Sequence, residues 1–129
     1  MPRHGDAIAR ALAERIGSVA PMAPEDPEAK LSAFANPAFA EMIDGAIEQG
    51  LAGGGATDVC AEVRGGPRKV EREGAIYLRP TVVRCQSAEH ALANTEYLFP
   101  FTSVVEVPQA EMLGTIGHSL VVTAITRDK

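Results

Sequence analysis

Few side chains in this 129-residue chain are spaced for chemistry. The thiols Cys60 and Cys85 stand far apart, without a second pair and without a histidine at metal-ligand spacing. The histidines His4, His90 and His118 are equally scattered. No catalytic residue and no metal site is therefore assigned. Ser103 and Ser119 lack the local context of an activated nucleophile. Glu71 and Glu73 lie two apart and flank Arg72 in what reads as a solvated hairpin. Gly53, Gly54 and Gly55 form a glycine run, but they follow a helix pattern rather than a strand, so they read as a terminator and not as a phosphate cradle. The remaining candidate is Glu96. It stands among Tyr97, Leu98, Phe99 and Phe101, a single carboxylate in a large apolar stretch.

The elements that must hold Glu96 can be read from spacing. Ile8, Leu12 and Ile16 recur every four residues and predict a helix over 4–16. Pro21, Pro24 and Pro27 make the next stretch an irregular connection. Asn36 and Pro37 suit the cap and first position of a second helix, whose apolar face is Phe39, Met42, Ile43, Ala46 and Ile47. Strands are expected at 57–63, at 75–83 with a break at Pro80, and at 102–107. A helical turn capped by Ser87 is expected over 87–93. A helix at 109–116 and an apolar β-branched strand at 120–126 would complete a βαβ unit with a right-handed crossover. The expected class is α/β, a layered αβα arrangement with a mostly parallel sheet.

Composition limits the partners. The formal charge is −5, which excludes the basic stripe of a nucleic-acid-binding surface. Arg64, Arg68, Lys69 and Arg72 are the one basic cluster, and they read as part of the solvated hairpin. No window approaches the ~20 apolar residues of a membrane span. The charged first sixteen residues do not resemble a signal peptide, and two cysteines make no disulfide framework. A reduced, cytoplasmic protein is the expectation.

A longer pattern emerges when these segments are taken in order. Gly74-Ala75-Ile76-Tyr77-Leu78-Arg79-Pro80-Thr81-Val82-Val83, then a spacer, then Glu96-Tyr97-Leu98-Phe99-Pro100, resembles the aldehyde dehydrogenase superfamily. There a glycine, a hydrophobic strand and a Pro-Thr-Val/Leu segment precede a Glu-Ile-Phe-Gly-Pro motif. A strand, a helix and a strand ending in Thr-x-Asp follow, matched here by Thr126-Arg127-Asp128. The resemblance spans nearly the whole chain. It implies that residues 1–129 form a single partial domain from the C-terminal portion of the catalytic domain. It also implies a parent that oxidises aldehydes through a cysteine thiohemiacetal, with hydride transfer to NAD or NADP. Glu96 takes the place of the glutamate that holds the nicotinamide ribose. Leu98 and Phe99 depart from the motif's Phe and Gly, and neither Cys60 nor Cys85 stands where the nucleophile belongs. The expected partners are the remaining domains of the parent or further copies of the chain, and the chain alone is expected to be inactive, to retain no bound cofactor and not to bind NAD tightly. The alternative reading is a non-catalytic structural or interaction module of the same fold.

Overall fold

The computed structural model describes residues 3–119 and 121–123. Helix α1 spans Gly5–Ile16 and helix α2 spans Pro37–Ala52. Strand β1 is Ala56–Asp58, and the short helix α3 is Cys60–Arg64. Strands β2 (Lys69–Arg72), β3 (Ala75–Leu78), β4 (Thr81–Cys85) and β5 (Phe101–Val105) follow. Helix α4 is Met112–Ile116, preceded by a 3-10 turn at Gln109–Glu111.

The sheet is built around β4. It pairs antiparallel with β1 and parallel with β5, in the order β1-β4-β5. Strands β2 and β3 form a separate antiparallel hairpin. Side chains alternate across a strand, and β4 uses both faces. Val82 packs with Ala9 and Ala13 of α1, Cys60 of α3 and Val104 of β5. Val83 and Cys85 pack on the opposite side with Ala40, Ile43 and Ile47 of α2, Leu78 and Leu92. Helices therefore cover both faces, which makes the chain an α/β protein with an αβα layering. Within the described residues the sheet is mixed rather than mostly parallel, because β1 runs against β4.

Several expected elements change. Only Thr57 and Asp58 of the 57–63 segment are strand, because Asp58 Oδ1 accepts the Cys60 backbone N–H at 3.0 Å and turns the chain into α3. The β2–β3 turn is Glu73-Gly74, with φ of 53° and 79°. Two residues with positive φ are what a tight hairpin needs to match strand twist. Pro80 separates β3 from β4, as expected of a residue without an N–H. The turn expected over 87–93 shrinks to a 3-10 turn at Ala91–Ala93, and its cap is the His90 ring rather than Ser87. The strand expected at 120–126 falls largely on residues 120 and 124–126, outside the described residues, as does Thr126-Arg127-Asp128. Residues 121–123 carry no regular structure, so the second strand of the βαβ unit is not among the described elements.

The basic cluster is the largest correction. Arg64 and Arg68 are buried, not solvated. Asp58 Oδ2 accepts from Arg64 at 2.6 Å and from Arg68 at 3.1 Å. Arg68 also donates to Asp44 at 2.7 Å and Glu48 at 3.1 Å on α2, and to the Thr81 hydroxyl. Arg64 donates to the Pro80 carbonyl. Two guanidinium forks thus tie α2, the hairpin and β4 together. Buried ionic groups persist only when paired and hydrogen-bonded, and the described side chains leave no buried polar atom without a partner.

Candidate functional site

The site forms where α2, residues 30–35 and the loop before β5 face one another. Asn36 Oδ1 accepts the Ala38 N–H at 3.0 Å, and Pro37 opens the helix. That start sets the helical phase. Ala40, Ile43 and Ile47 then turn into the core, while Phe39 and Met42 remain exposed on the next face. Residues 30–35 are docked on the hairpin by the Phe34 N–H, which donates to the Ile76 carbonyl at 2.9 Å.

The third wall is residues 95–100. From Glu96 to Phe101 burial alternates: Tyr97, Phe99 and Phe101 are half-buried, whereas Glu96, Leu98 and Pro100 are exposed. The Tyr97 and Phe101 rings meet edge to face, with centroids 4.9 Å apart. Phe99 lies 6.2 Å from Tyr97 and 5.9 Å from Phe101, tilted against both. These are favourable aromatic geometries. All three rings pack on the cluster of Ile43, Ile47 and Leu78. At the end of the loop, the Thr81 N–H donates to the Pro100 carbonyl at 3.0 Å.

Between these walls lies an open groove of about 890 Å³, within the general range of small-molecule sites, ~300–1,000 Å³. Phe34, Phe39, Met42, Tyr97 and Phe99 supply its apolar surface, and Lys30 and Glu96 are the charged residues that line it. Glu96 is exposed, and among the described residues its carboxylate has no hydrogen bond or ion pair. An ionised carboxylate is an acceptor only. At this position it can take hydrogen bonds from hydroxyl or amide groups of a ligand whose apolar part lies in the groove.

The other candidates do not join Glu96. Cys60 and Cys85 are fully buried, and burial pushes both thiols above their ordinary pKa, which keeps them protonated and unreactive. Cys85 Sγ lies 3.9 Å from His90 Nδ1. That nitrogen accepts the Leu92 N–H at 3.1 Å, so Nε2 carries the proton and donates to the Gly54 carbonyl at 3.1 Å. The ring is a cap and a brace for the glycine run, not a base for the thiol. Glu71 and Glu73 are exposed on the hairpin. No group of three or more metal-ligating side chains stands together among the described residues. The groove itself was not legible in advance, although Tyr97, Phe99 and Phe101 at a period of two signal one wall of it. Comparison with known proteins finds no matching family model, no similar curated protein and no similar solved structure.

Proposed function

We propose that this chain is part of the catalytic domain of an NAD(P)-dependent aldehyde dehydrogenase, in which Glu96 and the adjoining groove form one wall of the nicotinamide-nucleotide site. The observation that carries this reading is the exposed Glu96 carboxylate, without a partner among the described residues, beside an apolar groove of about 890 Å³. The order of the Pro80-Thr81-Val82 and Glu96-to-Pro100 segments supports it. So does the αβα layering, which fits an aldehyde-dehydrogenase-like catalytic domain in which the rest of the sheet is parallel.

The residues present fit such a ligand. A carboxylate is suited to the two hydroxyls of a ribose, and Phe34, Phe39 and Met42 offer an apolar surface to a flat ring. When bound, the nicotinamide accepts hydride from the substrate. Glu96 would orient the riboside, and the rings beneath it would exclude water from that side. The buried thiols are unsuited to nucleophilic attack, so this chain would supply cofactor contact and not the reacting nucleophile. The remaining partners are then the other domains of the parent or further copies of the chain, in the cytoplasm.

The reading is tested with the isotopically labelled chain and nicotinamide mononucleotide. Amide shifts confined to Thr95, Glu96, Phe39 and Met42 are expected at millimolar ligand. Glu96→Gln replaces a charged acceptor with a neutral one, a difference of about 1 kcal/mol, or roughly fivefold in affinity. In a full-length parent the same change raises KM for NAD. Absence of shifts at these residues would overturn the reading, as would aldehyde-dependent NAD reduction by the chain alone.

A second reading has its own support. Phe39 is 56% exposed, Met42 61% and Leu98 93%, an apolar patch of the kind that marks interaction surfaces. A non-catalytic module docking another protein through this face would leave Glu96→Gln without kinetic effect in the parent.

A further inference from the structure

Residues 96–99 make no backbone hydrogen bond among the described residues. The loop is anchored on either side of that stretch, by the Thr95 hydroxyl on the Ala91 carbonyl at 2.8 Å and by the Pro100 carbonyl on Thr81. Its conformation between those anchors is therefore held by side chains. Tyr97, Phe99 and Phe101 occur at i, i+2 and i+4, and all three turn inward onto the same core cluster. Glu96 and Leu98 are thereby left on the outside. Phe99 is the middle ring in sequence and packs on the core cluster beside the closer Tyr97–Phe101 pair, 6.2 Å from the first ring and 5.9 Å from the second.

We propose that Phe99 is a positioning residue, which locks the 96–99 backbone onto the core and thereby fixes where Glu96 is presented beside the groove. This rests on the reading of Glu96 as a ligand for a nicotinamide riboside. Glycine at this place would do the opposite, because it removes the ring and widens the backbone's conformational range. A site that must meet two hydroxyls gains affinity when its acceptor is already held in place.

The experiment compares Phe99→Gly and Phe99→Leu with the wild type by amide relaxation and by titration with nicotinamide mononucleotide. In Phe99→Gly the order parameters at Glu96 and Leu98 should fall from the rigid range, ~0.85, to below ~0.6. Affinity for the mononucleotide should drop at least threefold in the same variant, with amide shifts outside residues 94–101 unchanged. Phe99→Leu keeps an apolar plug and should restore both readouts to near wild-type values. Unchanged order and unchanged affinity in Phe99→Gly overturn the proposal, whatever the wild type binds. A loss of order without any wild-type response to the mononucleotide leaves the loop-locking role standing and removes the nucleotide reading.

Discussion

Glu106 accepts the backbone N–H of Gly5 at 2.5 Å, so a carboxylate just past the end of β5 closes the free amide end of α1. The residue before the helix, His4, offers no side-chain cap and sits in the left-handed region at φ 68°. The distant carboxylate does the work that a local Ser or Asp does elsewhere. Arg84 joins the same corner, donating to Asp6 at 2.7 Å and lying 3.7 Å from Glu106.

Removing that carboxylate should loosen α1 first. Glu106→Ala deprives the helix of a charged cap, at a cost of about 1 kcal/mol. Amide exchange of Ile8 and Ala9 should accelerate, while exchange of α2 follows only the global change. Urea unfolding gives the total. Equal exchange in the variant and the wild type at Ile8 and Ala9 would show that Glu106 is not the cap.

The buried ionic network predicts a larger effect. Among the described residues Asp58 is the one carboxylate shared by Arg64 and Arg68, and all three side chains are almost without solvent contact. Asp58→Ala leaves two buried guanidinium groups short of an anion, which costs roughly 3–5 kcal/mol. By contrast, Glu41 pairs with Lys69 at 2.5 Å near the surface, and its side chain is 56% exposed. Glu41→Gln should change stability by under about 1 kcal/mol. Chemical denaturation of both variants separates the two cases, and comparable losses would contradict the assignment of burial.

These two contacts also explain what could be read from the chain and what could not. Helix α2 was legible because its cap and its proline are local, but of its expected apolar face only Ile43 and Ile47 are buried, while Phe39, Met42 and Ala46 are exposed. The buried β4 was legible only in part: Thr81-Val82-Val83 was expected as strand, but its burial on both faces belongs to an arrangement expected of residues 120–126. Arg64 and Arg68 misled because their partners Asp44, Glu48 and Asp58 lie on other elements, and a cluster of basic residues looks solvated until those partners are placed. Glu96 was legible as an isolated carboxylate in an apolar stretch. Its groove was not, since one wall depends on Phe34 docking on Ile76 across the fold.

The thiols predict an alkaline weakness. Burial is the leading cause that raises the pKa of both Cys60 and Cys85 above the ordinary 9.0. Below that value both the folded and the unfolded chain keep their thiol protons, so these groups contribute no pH dependence. Above it the unfolded chain ionises first and is favoured, and stability falls as pH rises. Unfolding free energy measured between pH 7 and pH 10 should therefore decline more steeply in the wild type than in Cys60→Ala/Cys85→Ala. Parallel slopes would mean that the folded thiols ionise as readily as the unfolded ones.

Two glycines of α2 should respond to alanine in opposite directions. Alanine is favoured over glycine inside a helix by roughly 0.5–1 kcal/mol. At Gly45 a Cβ would meet nothing within 4 Å, so Gly45→Ala should stabilise the chain by about that amount. At Gly50 a Cβ would lie 2.7 Å from Leu92 Cγ and 2.8 Å from its Cδ1. Leu92 is itself buried against Ile47 and Cys85, so it has little room to withdraw. Overpacking of this kind costs about 1–3 kcal/mol, more than the helix gains. Gly50→Ala should thus lower the unfolding midpoint while Gly45→Ala raises it. The Gly50→Ala/Leu92→Ala pair supplies the check: with the side chain that blocks the Cβ removed, the added methyl should become favourable in the Leu92→Ala background. If it stays unfavourable there, the contact between α2 and Leu92 is not what requires glycine at this position.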